Sequence, residues 1–269
     1  MAWPRRAWLV LGLRADRSGR AALAWAADAA AARDLRLRLV RVPARHPDDA
    51  VTDLCERART AATVVLGAAT GPDPVVRRVL AHARCPVVVV NDAPGTADRV
   101  PADVLVGVEL SWYGRRRPAN AVDHAFAEAA RLGVGLRALH VWRPPPLGVM
   151  DETAAVREYQ RLLAALVASR QVLYPEIRAR CEVVRGRPAR VLRRAAAHAS
   201  LLVIGAPGRP RPAGRWAGPV VRGTLGRTPC PVAVVPPGYA DARRRSLPRA
   251  GRLLRRTRAT VRRLRVRGR

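Results

Sequence analysis

The strongest constraint on how this chain can fold is a set of short, unbroken apolar runs: Ala7–Leu13 (AWLVLGL), Thr63–Gly67 (TVVLG), Cys85–Val90 (CPVVVV), Val104–Val108 (VLVGV), Leu201–Gly205 (LLVIG) and Val232–Val235 (VAVV). Each has strand length and none alternates with polar residues, so each reads as a strand covered on both faces, as in a parallel sheet. Between them lie helix-like segments. Ser18 reads as an N-cap for a helix reaching about Arg33, with Ala22, Trp25, Ala26 and Ala29 along one face. Further helices are expected over Val51–Arg59, Pro74–Ala83, Pro118–Leu132, Asp151–Leu173 and Pro188–Ala199. Leu35–Val42 (LRLRLVRV) alternates apolar with Arg and reads as a strand with one wetter face, and Gly135–Trp142 and Ile177–Val184 complete the strand set. Strands alternating with helices demand crossover connections and an α/β fold.

The pattern runs twice. Val64–Gly67 (VVLG) corresponds to Leu202–Gly205 (LVIG), and Arg84–Val90 (RCPVVVV) to Pro229–Val235 (PCPVAVV). A period that long suits a duplicated domain rather than a solenoid. The expected division is 1–92 for a reduced first domain, 93–102 for a linker of Pro, Gly and Asp, 103–237 for a full second domain, and 238–269 for an Arg-rich tail. The expected architecture is two open, five-stranded-type parallel sheets with helices on both faces. The N-terminal copy lacks the long helix and the strand that follows it in the second. The last strands, Val87–Val90 and Val232–Val235, are apolar edges that would aggregate if uncovered, so they are expected to pair with each other as a pseudo-dimer; a homodimer is the further possibility.

Leu201–Val235 carries the chemistry. Strand, glycine loop, short helix and strand is an arrangement that presents backbone N–H groups to a phosphate. Its glycines, Gly205, Gly208 and Gly218, follow G-x2-G-x9-G, which is neither the Walker pattern nor the dinucleotide fingerprint, and the chain has no lysine for a Walker loop. The stretch resembles the C-terminal nucleotide loop of the universal stress protein family, well over 103–235 and loosely over 7–90. The resemblance implies an open five-stranded parallel α/β fold, often in tandem, with ATP bound in one branch and Mg as its companion. It implies that Glu109 takes the place of an Asp that contacts the adenine or ribose. His140 or Val141 would pack on the base, and Ile204, Gly205, Gly208, Arg209, Gly218, Pro219, Val220 and Val221 would surround the phosphates. Pro219 and Val221 stand where the family carries hydroxyls. Two or three donors are thereby lost, worth a factor of about a hundred in affinity unless Arg209, Arg211 or Arg215 compensates.

Composition adds less. The net charge is +30 and all 50 basic residues are Arg, a bias that accompanies abundant Ala in GC-rich coding sequence. Thirteen arginines and no acid fall within 243–269, where Leu253, Leu254, Thr257, Val261 and Leu264 could share a helical face. That segment suggests contact with nucleic acid or an acidic membrane. Cys55, Cys85, Cys181 and Cys230 form no CxxC pair, which fits a reducing cytoplasm and argues against a metal site. No apolar run is long enough to span a membrane. The five histidines are scattered, and neither a nucleophile turn nor a metalloprotease helix occurs, so a non-catalytic module is expected.

Overall fold

The computed structural model describes residues 7–68, 73–91, 102–110, 119–144, 151–206 and 218–239. The linker, the Arg-rich segment from 240 onward, Gly208, Arg209, Arg211 and Arg215 lie outside them.

In chain order the elements are β1 (Trp8–Leu13), α1 (Arg17–Ala31), β2 (Arg36–Arg41), α2 (Asp48–Arg57), β3 (Thr63–Ala68), α3 (Pro74–His82) and β4 (Val87–Asn91). They continue as β5 (Val104–Gly107), α4 (Ala119–Leu132), β6 (Leu136–Trp142), α5 (Glu152–Gln171), β7 (Ala179–Arg185), α6 (Pro188–Ala195) with a 3-10 turn at Ala196–His198, β8 (Leu201–Gly205), α7 (Pro219–Thr224) and β9 (Val232–Val235). The unbroken apolar runs became central strands because both faces of the sheet are covered. Leu9, Leu11 and Val65 pack beneath α1 on one face, where α4 and α5 cover the second half. Val10, Val64 and Leu66 pack against α2 and α3 on the other, where α6 and α7 cover the second half.

One expected cap is displaced. Asp16, in extended conformation, rather than Ser18, caps α1: its carboxylate accepts from the Gly19 N–H at 3.0 Å, and the Ser18 hydroxyl donates to the same group at 2.6 Å. A carboxylate one turn earlier outcompetes the hydroxyl for the free N–H groups.

The two expected sheets are joined into one. Strand order is β2-β1-β3-β4-β9-β8-β5-β6-β7, parallel throughout except where β4 meets β9 antiparallel with Val88 opposite Ala233. The two last strands thus cover each other, as their apolar character requires. Beside this seam, Arg33, just beyond α1, pairs with the buried Glu128 of α4, and Arg131 Nε reaches the same carboxylate at 3.0 Å. The seam is therefore held by backbone pairing, apolar packing and a buried ionic cluster.

The first half has no counterpart of α5 and β7, and β2 is consequently an outer strand. Its Arg36, Arg38 and Arg41 are exposed, and even Leu39 is 54% exposed. The wetter face expected from its alternation follows from that position.

Candidate functional site

In the second half, β5 connects through α4 to β6 on one side, while β8 lies on its other side. The chain thus changes direction between β5 and β8. At such a switch point the outgoing loops diverge and leave a crevice beyond the carboxyl ends of the strands. A cavity of about 690 Å³ opens there, a size that holds a small organic ligand.

Each wall follows from local structure. Glu109 leaves the end of β5, and Ile204 and Gly205 end β8 beside it. Gly205 needs no Cβ for its own packing: one placed there would meet only the Ala121 methyl at 3.8 Å. Gly218 caps α7 and Pro219 is its first residue, the position where proline's fixed φ suits a helix and its missing N–H has no intrahelical acceptor anyway. Proline therefore starts this helix cleanly while removing one donor from the rim. Val220 and Val221 continue the wall, and Val141 closes it from β6.

All the described candidate residues thus meet around one cavity: Glu109, Val141, Ile204, Gly205, Gly218, Pro219 and Val220, together with His140 and Val221. The prolines edge the crevice without filling it. Gly208 and Arg209 belong to the segment outside the described residues.

The aromatic wall is the part that sequence reasoning missed. His140 and Trp142 project from the same side of β6, and Tyr159 reaches over from α5. The His140 and Tyr159 rings lie 4.5 Å apart, and those of Trp142 and Tyr159 6.3 Å. The i, i+2 spacing of His140 and Trp142 at a strand end was the available signal; Tyr159, on a distant helix, left none. His140 Nδ1 sits 2.9 Å from the Val108 carbonyl oxygen. Burial pushes the imidazole pKa down, and the bond to Val108 and the nearby Glu109 carboxylate oppose that without reversing it. Among the described residues, no group of three or more His, Cys, Asp or Glu side chains is placed to hold a metal.

The equivalent place in the first half is closed. Strand register puts Gly12 beside Leu66 as it puts Gly107 beside Ile204, so Arg14 falls where Glu109 does and Asp73 where Gly218 does. Arg14 and Asp73 pair across the gap at 2.9 Å. A Cβ on Gly67 would meet the Ser18 carbonyl oxygen at 2.4 Å, so the start of α1 lies directly against the strand end. Where the second half offers an acid facing a crevice, the first has an internal ion pair and backbone contact.

A doubly covered parallel sheet with a crevice at its switch point, bounded by a strand-end glycine and an acid from the neighbouring strand, defines a ligand-binding α/β protein. Residues 103–236 match the model of the universal stress protein family. A curated universal stress protein of Mycobacterium tuberculosis is 33% identical over 201 residues, covering 71% of this chain and 65% of that one. Another, from Mycolicibacterium smegmatis, is 36% identical over 169 residues, covering 59% and 54%. The match thus spans less than two thirds of the length of these relatives. In fold the chain is similar to a universal stress protein from Archaeoglobus fulgidus DSM 4304, with a TM-score of 0.55 at 16% identity over 86% of this chain and 87% of that one. The chain belongs to the universal stress protein family.

Proposed function

We propose that the chain is a tandem universal stress protein that acts as a non-catalytic sensor, binding one adenine nucleotide in its second half. ATP is the proposed ligand, with Mg carried by its phosphates rather than by protein side chains. The observation that carries this reading is the contrast between the halves: an open cavity edged by Glu109, Gly205 and Gly218 in one, and the Arg14–Asp73 pair in the other. In this reading the halves are the products of a duplication, with boundaries at 1–92 and 103–237, of which one retained a binding crevice and the other became its structural partner across the β4–β9 seam. The polar demand near the phosphates falls on backbone N–H groups and on arginines of the 207–217 loop, since Pro219 contributes neither hydroxyl nor N–H. All four cysteines are free thiols, as the expected cytoplasmic setting requires.

Isothermal titration of the full chain with ATP, ADP and AMP tests the reading. One site per chain is expected, with thermal stabilisation that grows with ligand concentration and reaches about 2.7 kcal/mol at a hundredfold excess over Kd. Absence of both heat and thermal shift at several millimolar nucleotide overturns it.

A second reading draws on the thirteen arginines of 243–269. Here the tail binds a polyanion, DNA or an acidic lipid surface, with the folded halves as scaffold. No helix among the described residues is long and apolar enough to cross a membrane, so lipid contact in this reading is peripheral. Salt-dependent retention on DNA and on acidic vesicles that is unchanged by removing 240–269 overturns it.

A further inference from the structure

The aromatic end of the cavity contains an unmet hydrogen-bonding demand. A carbonyl oxygen can only accept, so the 2.9 Å contact with Val108 places the His140 proton on Nδ1. Nε2 is left with a lone pair. It is buried, and among the described residues nothing donates to it, although His140 is only 4% exposed and lines the cavity. A buried acceptor without a donor costs folding free energy that an arriving donor returns. The surroundings say what kind of donor fits. Tyr159 lies against the imidazole and Trp142 flanks it, a setting for a flat ring rather than a flexible chain. The opposite rim, at Gly205, Gly218 and Pro219, offers no side-chain hydrogen-bonding group and so makes no competing demand on that ring.

We infer that His140 is a specificity-determining residue whose Nε2 accepts a hydrogen bond from the exocyclic amine of a 6-aminopurine inserted beside Tyr159 and Trp142. The inference rests on the adenine-nucleotide reading above and extends it to a side chain outside the loop and the strand-end acid. It selects a ring edge bearing N–H, against an analogue that carries only hydrogen at that position. The neutral imidazole is the active form, because a protonated ring presents a second N–H to the amine instead of a lone pair.

Titration of the full chain with AMP, with purine ribonucleoside 5′-monophosphate, which lacks the amine, and with 2′-deoxy-AMP tests this. The wild type is expected to favour AMP over the purine analogue by about tenfold, the loss typical of one unmet buried hydrogen bond. His140→Phe, which keeps a ring against Tyr159, is expected to bind both at the wild type's affinity for the purine analogue. A measurement on the unaltered chain runs in parallel: with 15N-labelled histidine, the Nε2 resonance of His140 should shift on adding AMP and stay in place on adding the analogue. The inference is overturned alone if AMP binds but the wild type does not discriminate, if His140→Phe still discriminates, or if the His140-dependent loss falls on the 2′-deoxy compound. If no adenine nucleotide binds the wild type, the adenine reading and this inference fall together.

Discussion

Glu128 gives the sharpest test of how the two halves are held. Its carboxylate is 2% exposed, a burial that by itself would raise its pKa, yet Arg33, His124 and Arg131 outweigh that and hold it at about 2 against an ordinary 4.5. Arg33 belongs to the first half and the other three to the second, so the cluster spans the seam. Because the folded pKa lies below the unfolded one, the stabilisation is fully present above about pH 4.5 and is lost as pH falls toward about 2. The shift corresponds to about 3 kcal/mol. Glu128→Gln keeps the shape but leaves two largely buried guanidinium groups without a counter-charge, a loss of about 3–5 kcal/mol at neutral pH. For a chain of this size that lowers Tm by roughly 6–15 °C. Urea unfolding of wild type and variant at a series of pH values reads the effect as the gap between the two curves. The gap should be widest near neutrality and narrow steadily between about pH 4.5 and 2. A gap under about 1 kcal/mol at pH 7, or one indifferent to acid, refutes the argument that this carboxylate is ionised and paired across the seam.

Three other outcomes follow from the same geometry. Gly67→Ala drives a methyl into the Ser18 carbonyl and should cost about 1–3 kcal/mol in thermal unfolding, whereas Gly205→Ala, with open space around it, should stay within about 0.5 kcal/mol. Asp73→Ala removes both the α3 cap, which accepts from the Val75 and Val76 N–H groups, and the partner of Arg14; a loss of about 1–2 kcal/mol is expected, with nucleotide affinity in the other half unchanged in titration. Ala233→Asp puts a carboxylate into the dry seam opposite Val88, and the variant should lose cooperative unfolding as followed by circular dichroism.

Much of this architecture was legible in the chain because it rests on local pattern. Unbroken apolar runs such as Val87–Val90 announce coverage on both faces, and their length excludes helices. The Arg alternation of β2 anticipated an outer strand, because a strand short of one neighbour and one covering helix tolerates charge. The site residues from β5, β6, β8 and α7 were found because each sits at a strand end or a helix start, positions that sequence marks with Gly, Pro or an isolated acid. What stayed hidden depends on partners far apart along the chain. Glu128 lies among alanines on α4 and meets Arg33 from 95 residues earlier, so nothing nearby tells an interior carboxylate from a solvated one. The Arg14–Asp73 closure likewise needs the strand register before the two residues can be set side by side. The shift of the α1 cap from Ser18 to Asp16 was a competition between neighbouring oxygens that residue type alone does not decide.

The antiparallel seam also governs how copies of the molecule can meet. Since β4 and β9 already satisfy each other's free backbone groups, no outside strand can add at the centre, and the outermost ribbons, β2 and β7, are the only rims left for sheet extension. The first is studded with Arg36, Arg38 and Arg41, and the second fastens Glu182 to Arg137 of β6 through two contacts at 2.7 and 2.8 Å. Like charges on one rim repel a second copy of it, so growth into a continuous ribbon is blocked, and any higher assembly has to be built through the helical faces.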